Sequence, residues 1–443
     1  MARRTATDAP QSARRTALDA LLRIDGGAFA HILVPEMLRA ARLDARDRAL
    51  VTELVYGTVR MRRAVDYLLA KVSSRPLASL DSPVRAVLRL GAYQLLVGIP
   101  PHAAVGESVN LVDARARGFV NGALRALARL GPVWPLPDGD DLESVAIRTS
   151  HPDWIVSTLF DEYGVPDAIA TLELDDEPPP VTLRANRMLT TAEDLAAELR
   201  DAGVEVTRGR LVDDALLVRH AGDLAVLAPV RDGRATPQDQ SSQAVVELLD
   251  ARPGERLLDI ASAPGGKATA AAERMDGRGL IVAADVHVGR VRTVTRTAAR
   301  VGVAGVIAPL VADGAQLPLR DAAFDRVLLD APCSGLGVLR RRPDARWRVE
   351  PDSVQELATL QRVLLAAAAR TVKPGGRIVY SVCTLSHEET LGVDAWAAAA
   401  LPALRASTPP GPPWRARGRG AVLLPSDAGT DGMFVAIYET PVR

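Results

Sequence analysis

The stretch Leu257-Leu-Asp-Ile-Ala-Ser-Ala-Pro-Gly-Gly-Lys267 constrains this chain more than any other. A short apolar run reaches Asp259 and Ile260, a small-residue turn fills Ala261 to Gly266, and an alanine-rich run follows from Ala268 to Arg274. The pattern reads strand, tight loop, helix. Such a loop lets a ligand lie against backbone N–H groups at a helix N-terminus, because its glycines carry no side chain to block close approach. Neither the Gly-x-Gly-x-x-Gly of a dinucleotide site nor the Gly-Lys-Ser/Thr of a phosphate loop is present. The ligand expected is not a phosphate.

The following strands say more about it. Gly279 to Ala284 is an apolar run ending in Asp285, 26 residues after Asp259, and an acid at that strand end can accept hydrogen bonds from both hydroxyls of a ribose. Asp313 follows a third apolar run, Val306 to Val311. Three carboxylates at successive strand ends suit an amino-acid-bearing nucleoside with a cationic centre, a description that S-adenosylmethionine fits.

Two further strands carry thiols. Phe324 to Asp330 leads into Ala331-Pro-Cys333, and Gly376 to Val382 ends at Cys383. Open α/β sheets bind ligands beyond the carboxyl ends of their strands, so both cysteines are expected to face the crevice that holds the methyl donor. A free cysteine is more often a small buried hydrophobe, but two at strand ends beside such a site favour chemistry. Carbon 5 of cytosine is a poor nucleophile until another nucleophile adds to carbon 6, and a thiolate near positive charge suits that addition. Asp330, one short loop from Cys333, is placed to interact with N3 and the exocyclic amine. A second acid–base group must then remove the carbon 5 proton. Spacing leaves open which thiol attacks.

The N-terminal third differs in charge. The formal net charge of the chain is zero, yet residues 1–131 hold 20 Lys+Arg against 11 Asp+Glu, so a basic region precedes an acidic remainder. A solvated arginine surface would give the same count as a polyanion-binding module. Apolar residues at three- and four-residue spacing predict helices over Ala13–Ile24, Ala30–Ala41, Ala45–Leu69, Ser82–Val97 and Ala103–Leu130. Pro132 to Leu142 reads as a linker, His151-Pro-Asp-Trp154 opens a helix running to Glu162, and after Pro178-Pro-Pro180 a strand over Val181–Ala185, a helix over Ala192–Ala202 and further short strands continue to Val230. Arg184, Asn186 and Arg187 read as a solvated strand surface or as phosphate contacts. The basic run Arg340, Arg341, Arg342, Arg346 and Arg348, with Trp347, suits phosphates and base stacking, and Gly432 to Tyr438 reads as a final edge strand after a mobile loop, Pro409 to Gly420.

With no apolar run near the roughly 20 residues that span a bilayer, and no signal-peptide core after Met1-Ala-Arg-Arg, the chain is expected to be soluble and cytoplasmic. Its two cysteines do not suggest a disulfide framework, and His287 and His387 lack the clustering of a metal site, so no metal is expected.

Arg14-Arg-Thr-Ala-Leu, Asp47 to Gly57, Leu90-Gly-Ala-Tyr-Gln-Leu95 and Phe119-Val-Asn-Gly-Ala-Leu-Arg125 resemble a NusB-like RNA-binding helical domain. Gln238 to Gln243, Asp259 to Lys267, Asp285, Asp313-Gly314, Asp330-Ala-Pro-Cys333, Arg340 to Asp344, Leu360-Gln361, Lys373-Pro-Gly-Gly376 and Cys383-Thr384 are similar to the RsmB (Sun/Fmu) family of ribosomal RNA cytosine-5 methyltransferases. The resemblance implies a multidomain chain: an all-α NusB-like domain over 1–135, a small α+β RNA-binding or linker subdomain over 145–236, and an α/β Rossmann-like class I methyltransferase domain over 237–443. It further implies Cys383 as nucleophile, whereas the Pro-Cys pattern of DNA cytosine-5 methyltransferases would choose Cys333. Cys333 is implied to assist product release, with Asp330 and Lys267 at the base. Ala261, Ser262, Ala263, Pro264, Gly265, Gly266, Lys267, Asp285, Asp313 and Asp330 are implied as the S-adenosylmethionine contacts. Ala261 and Ser262 stand where Cys and Ala are more usual, an exchange among small residues. The implied substrate is a single-stranded or loop region of 16S ribosomal RNA, free or in an assembling small subunit, acted on by a monomer. A tRNA cytosine-5 methyltransferase and a non-catalytic antitermination or assembly factor are the alternatives. Intact Asp285, Asp330, Cys333 and Cys383 speak against the second.

Overall fold

The computed structural model describes residues 12–219 and 221–442, so the Met1-Ala-Arg-Arg start lies outside the described residues. Two compact units emerge: one runs through Glu177 and includes Leu339–Arg348, the other holds Pro178–Val338 and the chain from Val349 onward. No helix of the described residues is long and apolar enough to cross a membrane.

The first unit is helical: α1 (Ala13–Asp25), α2 (Ala30–Ala40), α3 (Ala45–Arg60), α4 (Arg62–Ala70), α5 (Ser82–Leu96), α6 (Pro101–Val109), α7 (Ala114–Ala128), α8 (Leu142–Arg148), α9 (Asp153–Tyr163) and α10 (Val165–Asp175). Ser12 and Asp44 cap α1 and α3 by accepting from Arg15 N and Asp47 N, which satisfies first-turn donors that no helical carbonyl can reach. Leucine and valine stripes of α1 to α7 close on one core that includes Leu18, Leu54, Leu88 and Leu124. Gly57 permits the tightest approach within it, since a Cβ there would lie 1.9 Å from the Tyr93 ring.

Two of the expected helices are broken. Ala45–Leu69 divides at Met61, and Ala103–Leu130 divides between Val109 and Ala114. The reason for the first break is tertiary: Arg63 N donates to Ser150 Oγ at 2.8 Å, and the Val59 carbonyl accepts from Trp347 Nε1 at 2.8 Å. Arg346, fully buried, donates to the carbonyls of Arg60, Thr149, Ser150 and Asp175 and to the Asp176 carboxylate at 3.0–3.3 Å. Arg340 bonds Glu177, and Arg348 bonds the Gly27 and Ala28 carbonyls. The basic run expected to meet RNA is thus largely a strap sewn into the helical unit. Arg342 alone among its five arginines is exposed.

The second unit begins with a four-stranded antiparallel sheet, β1 (Val181–Ala185), β2 (Glu205–Arg208), β3 (Ala215–Arg219) and β4 (Ala235–Pro237), in the order β2-β3-β1-β4, with helices α11 (Ala192–Asp201) and α12 (Ala228–Arg231). Arg184 on β1 is neither solvated nor open to phosphate. It is buried, pairs with Glu273 at 2.6 Å and donates to the Gly266 carbonyl at 2.9 Å. Asn186 is likewise buried, bonding the carbonyls of Gly233 and Val301.

A nine-stranded mixed sheet follows. Its elements are α13 (Gln240–Leu249), β5 (Arg256–Ile260), α14 (Gly266–Arg274), β6 (Leu280–Asp285), α15 (Val288–Arg300), β7 (Ile307–Val311), β8 (Phe324–Asp330), α16 (Pro351–Thr371), β9 (Val372–Val382), α17 (Leu391–Ala400), β10 (Arg405–Ala406), β11 (Arg415–Arg417), β12 (Gly420–Leu423), α18 (Pro425–Ala428) and β13 (Met433–Glu439). The order is β11-β12-β13-β9-β8-β5-β6-β7, parallel from β9 to β7, with β10 beside β13. Residues 432–438 therefore do not form an edge. β13 lies between β9 and β12, and the segment expected to be a mobile loop supplies β11 and the buried Trp414. Proline and glycine density marked that segment as irregular, but pairing with β12 gives its backbone groups partners.

Candidate active site

The parallel strands all end on one side of the sheet, which gathers the loops after β5, β6, β7, β8 and β9. After β5 the chain turns through Ala261, whose φ of +62° lies in the left-handed region that disfavours a Cβ. Several bonds hold the turn: Ser262 N to the Ala284 carbonyl at 2.8 Å, Ser262 Oγ to Asp259 Oδ2 at 2.7 Å, and Arg290 to the Ala263 carbonyl at 2.9 Å. Gly265 enters α14 at φ +97°, and a Cβ on it would stand 3.2 Å from Val294 Cα. Gly265 and Gly266 bring no side chain of their own to the start of α14, and no side chain caps it.

Asp285, at the end of β6, is buried. Its Oδ1 accepts from His287 N at 3.0 Å, while Oδ2 has no hydrogen bond and only Arg290 at 3.5 Å. A buried carboxylate oxygen without a donor is what a ribose hydroxyl would satisfy. Asp313 follows β7 in an exposed position with Oδ1 bound to Ala315 N at 2.9 Å. These residues fit S-adenosylmethionine, whose ribose hydroxyls would find acceptors in Asp285 and Asp313. Asp259 lies beneath the loop, pushed up to about 7 by burial although Ser262 donates to it.

Lys267 Nζ reaches Asp330 Oδ2 at 2.6 Å, and Ser381 Oγ donates to Asp330 Oδ1 at 2.9 Å. Burial works against the Lys267 ammonium, but Asp330 outweighs it and raises the group above its ordinary value; the charge of Cys383 adds to the effect. Register on β8 and β9 sets Asp330 opposite Ser381 and so brings Cys333 Sγ within 3.3 Å of Cys383 Sγ. The hydrogen bond with Cys383, then burial, push the Cys333 thiol well above its usual range.

Glu389 is the residue that motif reasoning passed over. It is fully buried and accepts from Ser334 N at 2.8 Å, Ser334 Oγ, Ser386 Oγ at 3.0 Å and Gln361 Nε2 at 3.0 Å. Gln361 Nε2 also holds the Pro332 carbonyl at 2.8 Å, and Ser334 Oγ meets Thr384 Oγ1 at 2.7 Å. One carboxylate thus clasps the residue after Cys333 to the loop after Cys383. The signal available in the sequence was an acid among hydroxyl residues, Ser386-His-Glu-Glu-Thr390, immediately downstream of a thiol. Glu389→Gln replaces one acceptor with a donor facing other donors, and is expected to lower kcat by about 100-fold, as a misplacement near 1 Å does. Calorimetry should show S-adenosylmethionine binding unchanged. A normal kcat would mean that the clasp does not set the thiols.

Comparisons agree with this architecture. Residues 246–439 match the family model described as 16S rRNA methyltransferase RsmB/F, residues 11–129 the NusB family, and residues 151–225 the ferredoxin-like domain of RsmF/B-like methyltransferases. A probable ribosomal RNA small subunit methyltransferase B of Bacillus subtilis is 35% identical over 390 residues, covering 85% of this chain and 86% of its own. The ribosomal RNA small subunit methyltransferase B of Pseudomonas putida is 34% identical, covering 96% and 97%. Among solved structures, PH0851 superposes with a TM-score of 0.82 at 25% identity over 99% of this chain and 100% of that one. A methyltransferase homolog from Pyrococcus horikoshii gives 0.60 at 27% identity, over 68% and 98%.

Proposed function

Because the chain belongs to the 16S rRNA methyltransferase RsmB/F family, whose methyl donor is S-adenosylmethionine, we propose that it methylates carbon 5 of a cytosine in small-subunit ribosomal RNA through a covalent bond from Cys383 to the base. The observation that carries this reading is the Cys333–Cys383 pair, 3.3 Å apart beside the Asp330–Lys267 ion pair.

S-adenosylmethionine supplies an electrophilic methyl carbon on its sulfonium. The Cys383 thiolate bonds to carbon 6 of the base. Carbon 5 then attacks the methyl carbon, and the sulfonium–methyl bond breaks with its electron pair left on sulfur. Asp330 is assigned to the exocyclic amine, whose N–H its carboxylate accepts. Transfer leaves a proton on carbon 5. Once Cys383 is bonded to carbon, its hydrogen bond, the first of the causes that raise Cys333, is gone, while burial remains. Cys333 can then lose its own proton to solvent and take the one on carbon 5. The released electron pair restores the C5–C6 double bond and Cys383 departs as thiolate.

The base must leave any stack to reach these thiols, so the substrate form is single-stranded or loop RNA, bare or within an assembling small subunit. Such work belongs in the cytoplasm, and a monomer suffices for it. The test is transfer of labelled methyl to unmodified small-subunit ribosomal RNA and, in parallel, to bulk tRNA, followed by nucleoside analysis. Label in 5-methylcytosine from ribosomal RNA is expected. Label in tRNA alone would overturn the substrate, and label in another nucleoside would overturn the chemistry.

A further inference from the structure

The helical unit contains a cavity of about 290 Å³ where the C-terminal ends of α1 and α3 meet the first turns of α4 and α5, with Asp344, Trp347 and Arg348 of the strap in its wall. Four guanidinium groups line it: Arg62, Arg85, Arg89 and Arg348. Two are neutralised. Arg89 makes two bonds of 2.7 Å to Asp66 and lies 3.9 Å from Asp25, and Arg348 lies 3.5 Å from Asp344. Arg62 and Arg85 have no carboxylate within ion-pair distance among the described residues. Arg85 donates to the Leu80 carbonyl at 3.1 Å, and Arg62 lies over the Trp347 ring with its centre 5.3 Å from the centroid. Burial, then the charge of Arg89, weigh against the Arg62 cation more than Asp25, which also lines the cavity, and Asp66 support it, and an entering anion would relieve the remainder.

Beside the cavity stands an aromatic platform. Phe29 is 54% exposed, unusual for a phenylalanine, and Arg348 of the cavity wall stacks over its ring at 4.4 Å. A basic hollow next to an exposed ring backed by a guanidinium is the combination by which single-stranded nucleic acid is held, phosphate on charge and base on ring. Residues 1–131, which supply all of the cavity wall except the strap, hold 20 Lys+Arg against 11 Asp+Glu in sequence, an excess that favours the same polymer.

We propose that this cavity is an RNA subsite separate from the thiols, in which Arg62 and Arg85 bind a backbone phosphate and Phe29 stacks the adjoining base of a single-stranded segment. It rests on RNA being the substrate, and it locates where the helical unit grips that RNA. The site reads no particular base, because a phosphate and a ring face are common to all four nucleotides.

The experiment uses the full chain and unmodified small-subunit ribosomal RNA, with affinity measured across a salt series and methyl transfer measured on the same preparations. Phe29→Ala is expected to weaken binding about tenfold, the size of one lost stacking contact, and Arg62→Gln with Arg85→Gln about tenfold or more with a salt slope shallower by about one to two. Both should raise KM for RNA, leave kcat at saturating RNA unchanged and leave S-adenosylmethionine affinity unchanged. Phe29 is exposed, so its replacement does not endanger the fold and keeps the test decisive if the arginine variant unfolds. Parental RNA affinity in Phe29→Ala would overturn the proposal even where methyl transfer succeeds. Lost RNA affinity in the variants of a protein that transfers no methyl would uphold the subsite and refute the catalytic reading instead.

Discussion

Cys333→Ala is expected to turn the protein into a trap for its RNA. Incubated with S-adenosylmethionine and unmodified small-subunit ribosomal RNA, it should accumulate a band of combined mass that survives denaturation, while net turnover falls by about 10³-fold or more. The argument is one of sequence in time. Cys383 can add to carbon 6 without Cys333, and methyl transfer can follow, but the carbon 5 proton then has no nearby acceptor and the sulfur–carbon bond stays closed. Cys383→Ala should give neither product nor adduct, and the double replacement should behave like Cys383→Ala. Opposite behaviour, with the adduct in the Cys383 variant, would reverse the two roles. The two sulfurs lie 3.3 Å apart, so replacing either one also removes the hydrogen bond that the other makes.

Much of this site was legible because it is local. A strand, a turn of small residues and a helix announce themselves within Leu257–Arg274, and acids or cysteines at the ends of apolar runs need no knowledge of strand order to be placed beside them. Asp285, Asp330, Cys333 and Cys383 all stand at or just beyond the carboxyl ends of parallel strands. Sequence reasoning did not supply the neighbour relation of β8 and β9, on which the meeting of the thiols depends. Glu389 escaped for a related reason. Its importance lies in four donors, from Ser334, Ser386 and Gln361, that converge from three separate segments. Nothing in the spacing of a buried acid reveals such convergence. The C-terminal strands were misread because β11 is three residues long and gains its order only from pairing with β12.

The strap shows the same limit most sharply, and it leads to the second large effect. Arg340 to Arg348 has the composition of a nucleic-acid loop, and by composition alone Arg346→Met should weaken RNA binding and leave the fold intact. The structure predicts the reverse. Arg346 has no exposed surface, and it is the common donor to four backbone carbonyls from α3, the α8–α9 turn and the end of α10, together with the Asp176 carboxylate. Met fills a similar volume but leaves these acceptors buried without a donor, and breaking one side of a buried charged network costs about 3–5 kcal/mol. Arg346→Lys should recover little, since a single ammonium cannot span acceptors that a planar fork reaches together. Arg342→Met, at the exposed position of the same run, should leave stability unchanged. Hydrogen exchange read by mass spectrometry would locate the effect, with protection lost in α3, α4 and α8 to α10 while the β5–β9 strands keep theirs. Unchanged exchange in those helices, with weakened RNA binding, would restore the reading from composition. Val59 and Arg60 explain why the expected outcome is the structural one: α3 ends where it does because Trp347 and Arg346 take the carbonyls that a continuing helix would have used. Removing Arg346 therefore undoes a helix terminus as well as an ion pair.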